Sequence, residues 1–288
     1  MVVFEANRAC LGSERQCQQL IKWIPTMLDW NVSILYLLPV QQRGQLKAFG
    51  SPYCIQDFWK WDDQWGNDDD WNVLVNTCQK YNIRIVLDWV MNHTSWDHQW
   101  LDEAHDFYLH DENGNNMCPP GTAWTDVVQL DTRNPLLVRV MTDLMLKWVK
   151  ERGVGGFRWD AMNRIPREVR KTIQLDIKAQ CDDLIWIGDE SGISPVEEHV
   201  DFLERKWTSE SFDDLMKNDN PFYWTYLHHH DEANVRSWKE KVKGLDQQTL
   251  MQNVKAINNP VLSMAMWESS AKVFNWGFPC AVAPPLCK

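Results

Sequence analysis

The stretch Ile83-Arg84-Ile85-Val86-Leu87-Asp88-Trp89-Val90-Met91-Asn92-His93 decides the fold. It opens as a short aliphatic run, Ile83 to Asp88, without 3.6-residue periodicity, which is the pattern of a strand buried on both faces. It ends in a carboxylate, an amide and an imidazole. Three further runs share the pattern: Val32–Leu38, Gly155–Trp159 and Leu184–Gly188. Around and between these runs, Glu14–Trp30, Asp69–Tyr81, Pro135–Arg152 and Pro166–Ala179 carry apolar residues at helical spacing. Asn134-Pro135 reads as an N-cap followed by Pro at the first helical position. The alternation predicts βα units around a parallel sheet.

Two connections are too long for simple turns, Pro39 to Asp68 and Asn92 to Arg133. Both leave the C-terminal ends of predicted strands, where a (β/α)8 barrel builds its active site, and loops of that length in a compact domain are usually functional. No internal repeat, low-complexity tract or Ser/Gly-rich linker appears. Residues 1–288 therefore read as one domain, with 92–133 as an insertion.

Composition sets the outer limits. A chain of 288 residues with 44% hydrophobic and 24% charged residues can bury a core, and no apolar run reaches the roughly 18 residues of a bilayer span. The net charge of -11 opposes a nucleic-acid partner and suits a neutral ligand. The eight cysteines show neither a C-x-x-C pair nor zinc spacing and read as free thiols. The N-terminus enters a strand-like run at Val2–Glu5 without a basic segment and apolar core before it, so no cellular address can be read from it. Trp, at 18 copies, outnumbers Phe at 10 and Tyr at 6. Trp23, Trp30, Trp148 and Trp238 fall in helical stretches and read as packing. Trp89, Trp96, Trp100, Trp124 and Trp159 lie in or beside strand-end motifs and loops, where flat rings can stack on sugars, although packing accounts for most Trp residues.

Three clusters can carry chemistry. Asp88 to His93 can bind a polar ligand or a metal, or else cap a turn. In Gly156-Phe157-Arg158-Trp159-Asp160-Ala161, Arg158 and Asp160 are two apart on a strand and share a face. The cation favours the ionised carboxylate and is expected to depress its pKa; a structural ion pair is the bland alternative. Ile185-Trp186-Ile187-Gly188-Asp189-Glu190 ends another strand in two carboxylates, which either supply a general acid or cap the next helix.

Asp88-x-Val90-x-Asn92-His93, then Gly156-Phe157-Arg158-x-Asp160-Ala161, then Gly188 followed by an acid, resemble the first three conserved regions of the α-amylase family of retaining glycosidases, in that family's order. Gly50-Ser51-Pro52-Tyr53, Trp96 to Trp100, Asp111 to Gly114 and Trp124-Thr125-Asp126 also resemble its bacterial α-amylase branch. The resemblance implies a (β/α)8 TIM barrel with a small insertion after strand 3, cleaving α-glucosidic bonds of starch-like or maltooligosaccharide substrates by double displacement. It implies Asp160 as nucleophile and Arg158 as the cation beside it. It further implies Tyr53 and His93 as the lining of the reacting sugar's subsite, with Asp88 orienting the site through Arg158. Asn92 matches a position that in many relatives helps to bind calcium, a metal far from universal in the family; no cofactor is otherwise implied. Strict alignment puts Asp189 at the acid/base position. A one-residue slip puts Glu190 there, and its longer reach and its identity with the family's residue favour Glu190.

The family's fourth region, Asn-His-Asp after strand seven, has two registers here. His229-His230-Asp231 looks right locally but comes early, in text resembling the start of a helix. Spacing favours Asn258-Asn259-Pro260, which removes the third carboxylate. In that register strand eight falls near Ala281-Val282-Ala283, leaving no room for helix 8 or a C-terminal β-domain. A transglycosylase, or a carbohydrate-binding homologue with impaired catalysis, are the competing readings.

Overall fold

The computed structural model describes residues 2–6, 11–29, 31–189, 199–206, 223–226 and 261–265. In chain order the elements are β1 (Val2–Ala6), α1 (Gln16–Asp29), β2 (Val32–Leu37), β3 (Gln41–Arg43), β4 (Ile55–Trp61), α2 (Asp68–Lys80), β5 (Arg84–Trp89), β6 (His93–Ser95), α3 (Trp100–Glu103), β7 (Val127–Gln129), α4 (Pro135–Arg152), β8 (Gly156–Trp159), α5 (Arg167–Lys178), β9 (Ile185–Gly188), β10 (Phe202–Lys206), β11 (Tyr223–Tyr226) and β12 (Val261–Ala265). The four predicted strands and four predicted helices are all present, each within a residue or two of its expected bounds. Eight strands, β1, β2, β5, β8, β9, β10, β11 and β12, carry the sheet, while β3-β4 and β6-β7 are separate two-stranded pairs.

The chain divides into two compact units. One comprises residues 1–38, 64–86 and 201–288, and the other 39–63 and 87–200. In the first, β10, β11, β12, β1 and β2 pair in that order, all parallel. α1 and α2 belong to the same unit, and Arg15 reaches from the turn before α1 to the buried Asp70 of α2, 2.7 Å away. Asn67 caps α2 by accepting from the Asp70 amide at 3.0 Å, and Asp68, Asp69 and Asp70 complement the positive end of the helix.

In the second unit β8 and β9 run parallel, with Gly156 opposite Ile185 and Arg158 opposite Ile187. The two long connections each hold a small antiparallel pair, β3 with β4 and β6 with β7. β3, β6 and β7, at three residues each, are too short for a period to show in sequence. α4 starts as read: Asn134 Oδ1 accepts from the Leu136 and Leu137 amides at 2.9 and 3.3 Å, and Pro135 follows the cap. Gly153 ends it at φ 69°, the left-handed conformation that glycine enters without a Cβ penalty. Trp148 donates its indole N–H to the Phe58 carbonyl at 2.8 Å and packs edge-on against Trp61, tying α4 to β4.

Three expectations are corrected. Tyr223–Tyr226 is a strand, not the start of a helix. In chain order β11 and β12 are the seventh and eighth strands of the sheet, so the eighth lies at Val261–Ala265 and not near Ala281. The spacing argument for a lost helix 8 therefore falls away, since residues 266–288 follow that strand; their structure lies outside the described residues. Third, Trp89 and Trp159 are fully buried and pack in the core of the second unit, Trp89 against Phe157 and Trp159 stacked on Trp186. They are not sugar platforms. Trp23 and Trp148 are buried as expected, and Trp30 and Trp238 lie outside the described residues. Cys17, Cys54, Cys78, Cys118 and Cys181 are free thiols; Cys10, Cys280 and Cys287 lie outside the described residues. Among the described residues no helix is long and apolar enough to cross a membrane.

Candidate active site

Arg158 is the centre of the site. β8 delivers it, Asp160 directly follows the strand, and the side chain of Arg158 is buried. Its Nη1 donates to Asp88 Oδ1 at 3.1 Å and to Asp160 Oδ1 at 2.9 Å. Its Nη2 lies 3.2 Å from Asp189 Oδ1, just beyond β9. Asp88 comes from β5 and is fully buried, and its other oxygen accepts from the Tyr53 hydroxyl at 3.0 Å. One guanidinium thus gathers three carboxylates from three successive strand ends, and Tyr53 closes the set from the loop before β4.

Three acids on one cation leave negative charge in excess. Burial, followed by the charge of Asp88, pushes the Asp160 carboxyl well above the usual carboxylate range; Asp189 adds to this and Arg158 opposes it. The expected depression is therefore reversed. Spacing alone reveals Arg158 but neither the depth of the site nor the two other carboxylates that share the cation. Asp160 keeps 14% of its side chain exposed, enough to meet a ligand. Its backbone N–H donates to the Trp89 carbonyl at 3.2 Å, and Ala161 then turns the chain with φ 48°. A left-handed residue with a Cβ costs about 1–2 kcal/mol, and such strain collects at functional sites.

His93 starts β6 and is buried. Burial drives its pKa down to about 4, with Asp126 opposing and Arg164 assisting, so the ring is neutral at neutral pH. Its Nδ1 is 3.1 Å from Asn92 Nδ2. The Trp124 ring, 39% exposed, lies 5.7 Å from the His93 ring, with the Arg164 guanidinium 5.0 Å from its centroid. Of the candidate sugar-stacking rings, Trp124 stands beside a site residue. Trp96 is covered by Lys47 at 3.8 Å, and Trp100 stacks on Phe58.

Of the predicted site residues, Tyr53, Asp88, Arg158 and Asp160 form one hydrogen-bonded set. His93 belongs to the same compact unit. Glu190, His229-His230-Asp231 and Asn258-Asn259-Pro260 lie outside the described residues. Asn92, the position the resemblance links to calcium, has its Oδ1 accepting from the Gln129 amide at 3.1 Å. Among the described residues no three His, Cys, Asp or Glu side chains form a group that could hold a metal. Gln129 went unnoticed in the sequence, where a single amide after two valines carries no signal.

A family model described as alpha amylase, catalytic domain matches residues 20–183. An alpha-glucosidase from Culex pipiens is 31% identical over 169 residues, covering 48% of this chain and 28% of that protein. Trehalose-6-phosphate hydrolase from Bacillus subtilis (strain 168) is 29% identical over 182 residues, covering 52% of this chain and 32% of its own length. The chain thus spans less than two thirds of these relatives. Among solved structures, an alpha-amylase from Lactobacillus plantarum superposes with a TM-score of 0.77 at 20% identity, covering 93% of this chain and 71% of that one. A maltogenic alpha-amylase from Thermotoga neapolitana gives 0.74 at 22% identity, covering 93% and 68%. At these identities the likeness speaks to the fold alone.

Proposed function

Because the chain belongs to the alpha-amylase catalytic-domain family, whose fold is a (β/α)8 barrel, we propose that it is a retaining α-glucan hydrolase acting on starch-like or maltooligosaccharide substrates. Residues 1–288 form its catalytic barrel, and 92–133 are the insertion after the third strand. The observation that carries this reading is the set of Asp88, Asp160 and Asp189 gathered on Arg158, with Tyr53 on Asp88.

In the first step the ionised Asp160 carboxylate attacks the anomeric carbon. The bond from that carbon to the leaving oxygen breaks, and Glu190 gives its proton to that oxygen. In the second step Glu190, now a carboxylate, takes a proton from water. The water oxygen attacks the anomeric carbon, the ester to Asp160 breaks, and the sugar leaves with its original anomeric configuration. Glu190 suits the acid role better than Asp189, because its side chain is longer by one methylene and Asp189 already lies 3.2 Å from Arg158 Nη2. Arg158 and Asp88 fix Asp160, Tyr53 offers its ring to the sugar, and neutral His93 donates to a hydroxyl.

The test is release from an activated α-maltooligosaccharide by the full chain, with Asp160→Asn beside it. Release that falls at least about a thousandfold in the variant supports the reading, whereas equal and negligible rates in both overturn it. In an active enzyme the acid limb of the pH profile falls above the usual carboxylate range, because Asp160 must be ionised and its pKa is raised.

A further inference from the structure

We propose that Gln129 is a positioning residue that fixes His93 as its Nε2–H tautomer, acting through Asn92. The reasoning starts at two backbone carbonyls, whose role as acceptors is invariant. Asn92 O and Leu130 O lie 2.9 and 2.8 Å from the Gln129 side-chain nitrogen. Turned over, the Gln129 amide would set its own oxygen against both carbonyls, so the group facing them is the NH2. The same NH2 is 3.1 Å from the Asn92 side-chain oxygen. If Asn92 were turned over, two NH2 groups would oppose each other. Asn92 therefore shows its oxygen to Gln129 and its NH2 to His93 Nδ1, at 3.1 Å. An amide NH2 only donates, so Nδ1 is a bare acceptor and the ring proton sits on Nε2.

All three side chains are buried, so water does not compete for these bonds. The β6–β7 register sets His93 opposite Gln129, and one short ladder holds both ends of the relay. The relay leaves Nε2–H as the only donor on the neutral ring. Its functional value rests on the reading of His93 as donor to a sugar hydroxyl; the tautomer itself does not.

Long-range 1H–15N correlation spectra of the full chain at neutral pH report each histidine's tautomer, and His93→Gln identifies the signal. His93 is expected as Nε2–H in the parent. In Asn92→Asp the carboxylate accepts from both Gln129 and the ring, so His93 is expected to switch to Nδ1–H. If the parent hydrolyses α-glucosides, this variant is expected to lower kcat/KM about tenfold, the scale of one hydrogen bond. Gln129→Met frees Asn92 to turn over, and both tautomers are expected. Nδ1–H in the parent, or pure Nε2–H persisting in either variant, overturns the proposal. The spectra read no turnover, so a failure of the α-glucan reading leaves this result standing.

Discussion

Arg158 brings one positive charge to Asp88, Asp160 and Asp189, and the imbalance has a consequence for stability. The pKa of Asp160 is raised in the folded chain. Between the unfolded and the folded values, the folded chain holds a proton that the unfolded chain has already lost. Stability therefore falls as pH rises through that window, and above it the cost is constant. Asp160→Asn removes the titrating group. By differential scanning calorimetry the variant is expected to melt above the parent at pH 7, with the gap closing as pH falls toward about 4. No gap at pH 7, or a gap that widens on acidification, would contradict the raised pKa. The pairing of Arg158 with Asp160 was legible in the sequence because residues two apart in an extended run share a face, although Asp160 itself falls one residue past β8. The sign of the pKa shift was not, because it depends on burial and on Asp88 and Asp189, which arrive from other strands.

Gly156 decides how closely β8 and β9 approach. A Cβ there would fall onto the Ile185 carbonyl, which is backbone and cannot swing aside. Gly156→Ala must separate the strands two residues before Arg158. The expected cost is about 1–3 kcal/mol in urea unfolding, the usual range for overpacking, with reduced turnover where the variant remains folded. A variant of parental stability and activity would sink this role. The longer elements were legible because their apolar residues repeat over enough positions to show a period, as in α4 with its Asn134 cap. β3, β6 and β7 have three residues each, too few to show any period. β11, Tyr223-Trp224-Thr225-Tyr226, has no aliphatic run, and its aromatic text passed for a helix.

Across the whole molecule, every described site residue falls in the second compact unit, while the first carries β10, β11 and β12. That strand order bears on the fourth conserved region. With β11 at Tyr223–Tyr226, His229-His230-Asp231 comes directly after the seventh strand, and Asn258-Asn259-Pro260 directly precedes the eighth. Spacing misled the sequence reading because one misread strand shifted both remaining strands together. If Asp231 supplies the third carboxylate, Asp231→Asn is expected to cut kcat by about a hundredfold or more while Asn259→Ala leaves it within a few-fold. The reverse pattern restores the later register. Among the described residues, Trp65, Trp71, Trp89, Trp148 and Trp159 are all fully buried and serve packing. The central claim is a covalent intermediate on Asp160, and trapping it is the most direct test. After incubation with an activated 5-fluoro-α-glucosyl donor, intact mass and peptide mapping are expected to show one added sugar, esterified to Asp160 and absent from Asp160→Asn. Release of the leaving group with the sugar on another residue, or with no adduct and an inverted product, would contradict the account.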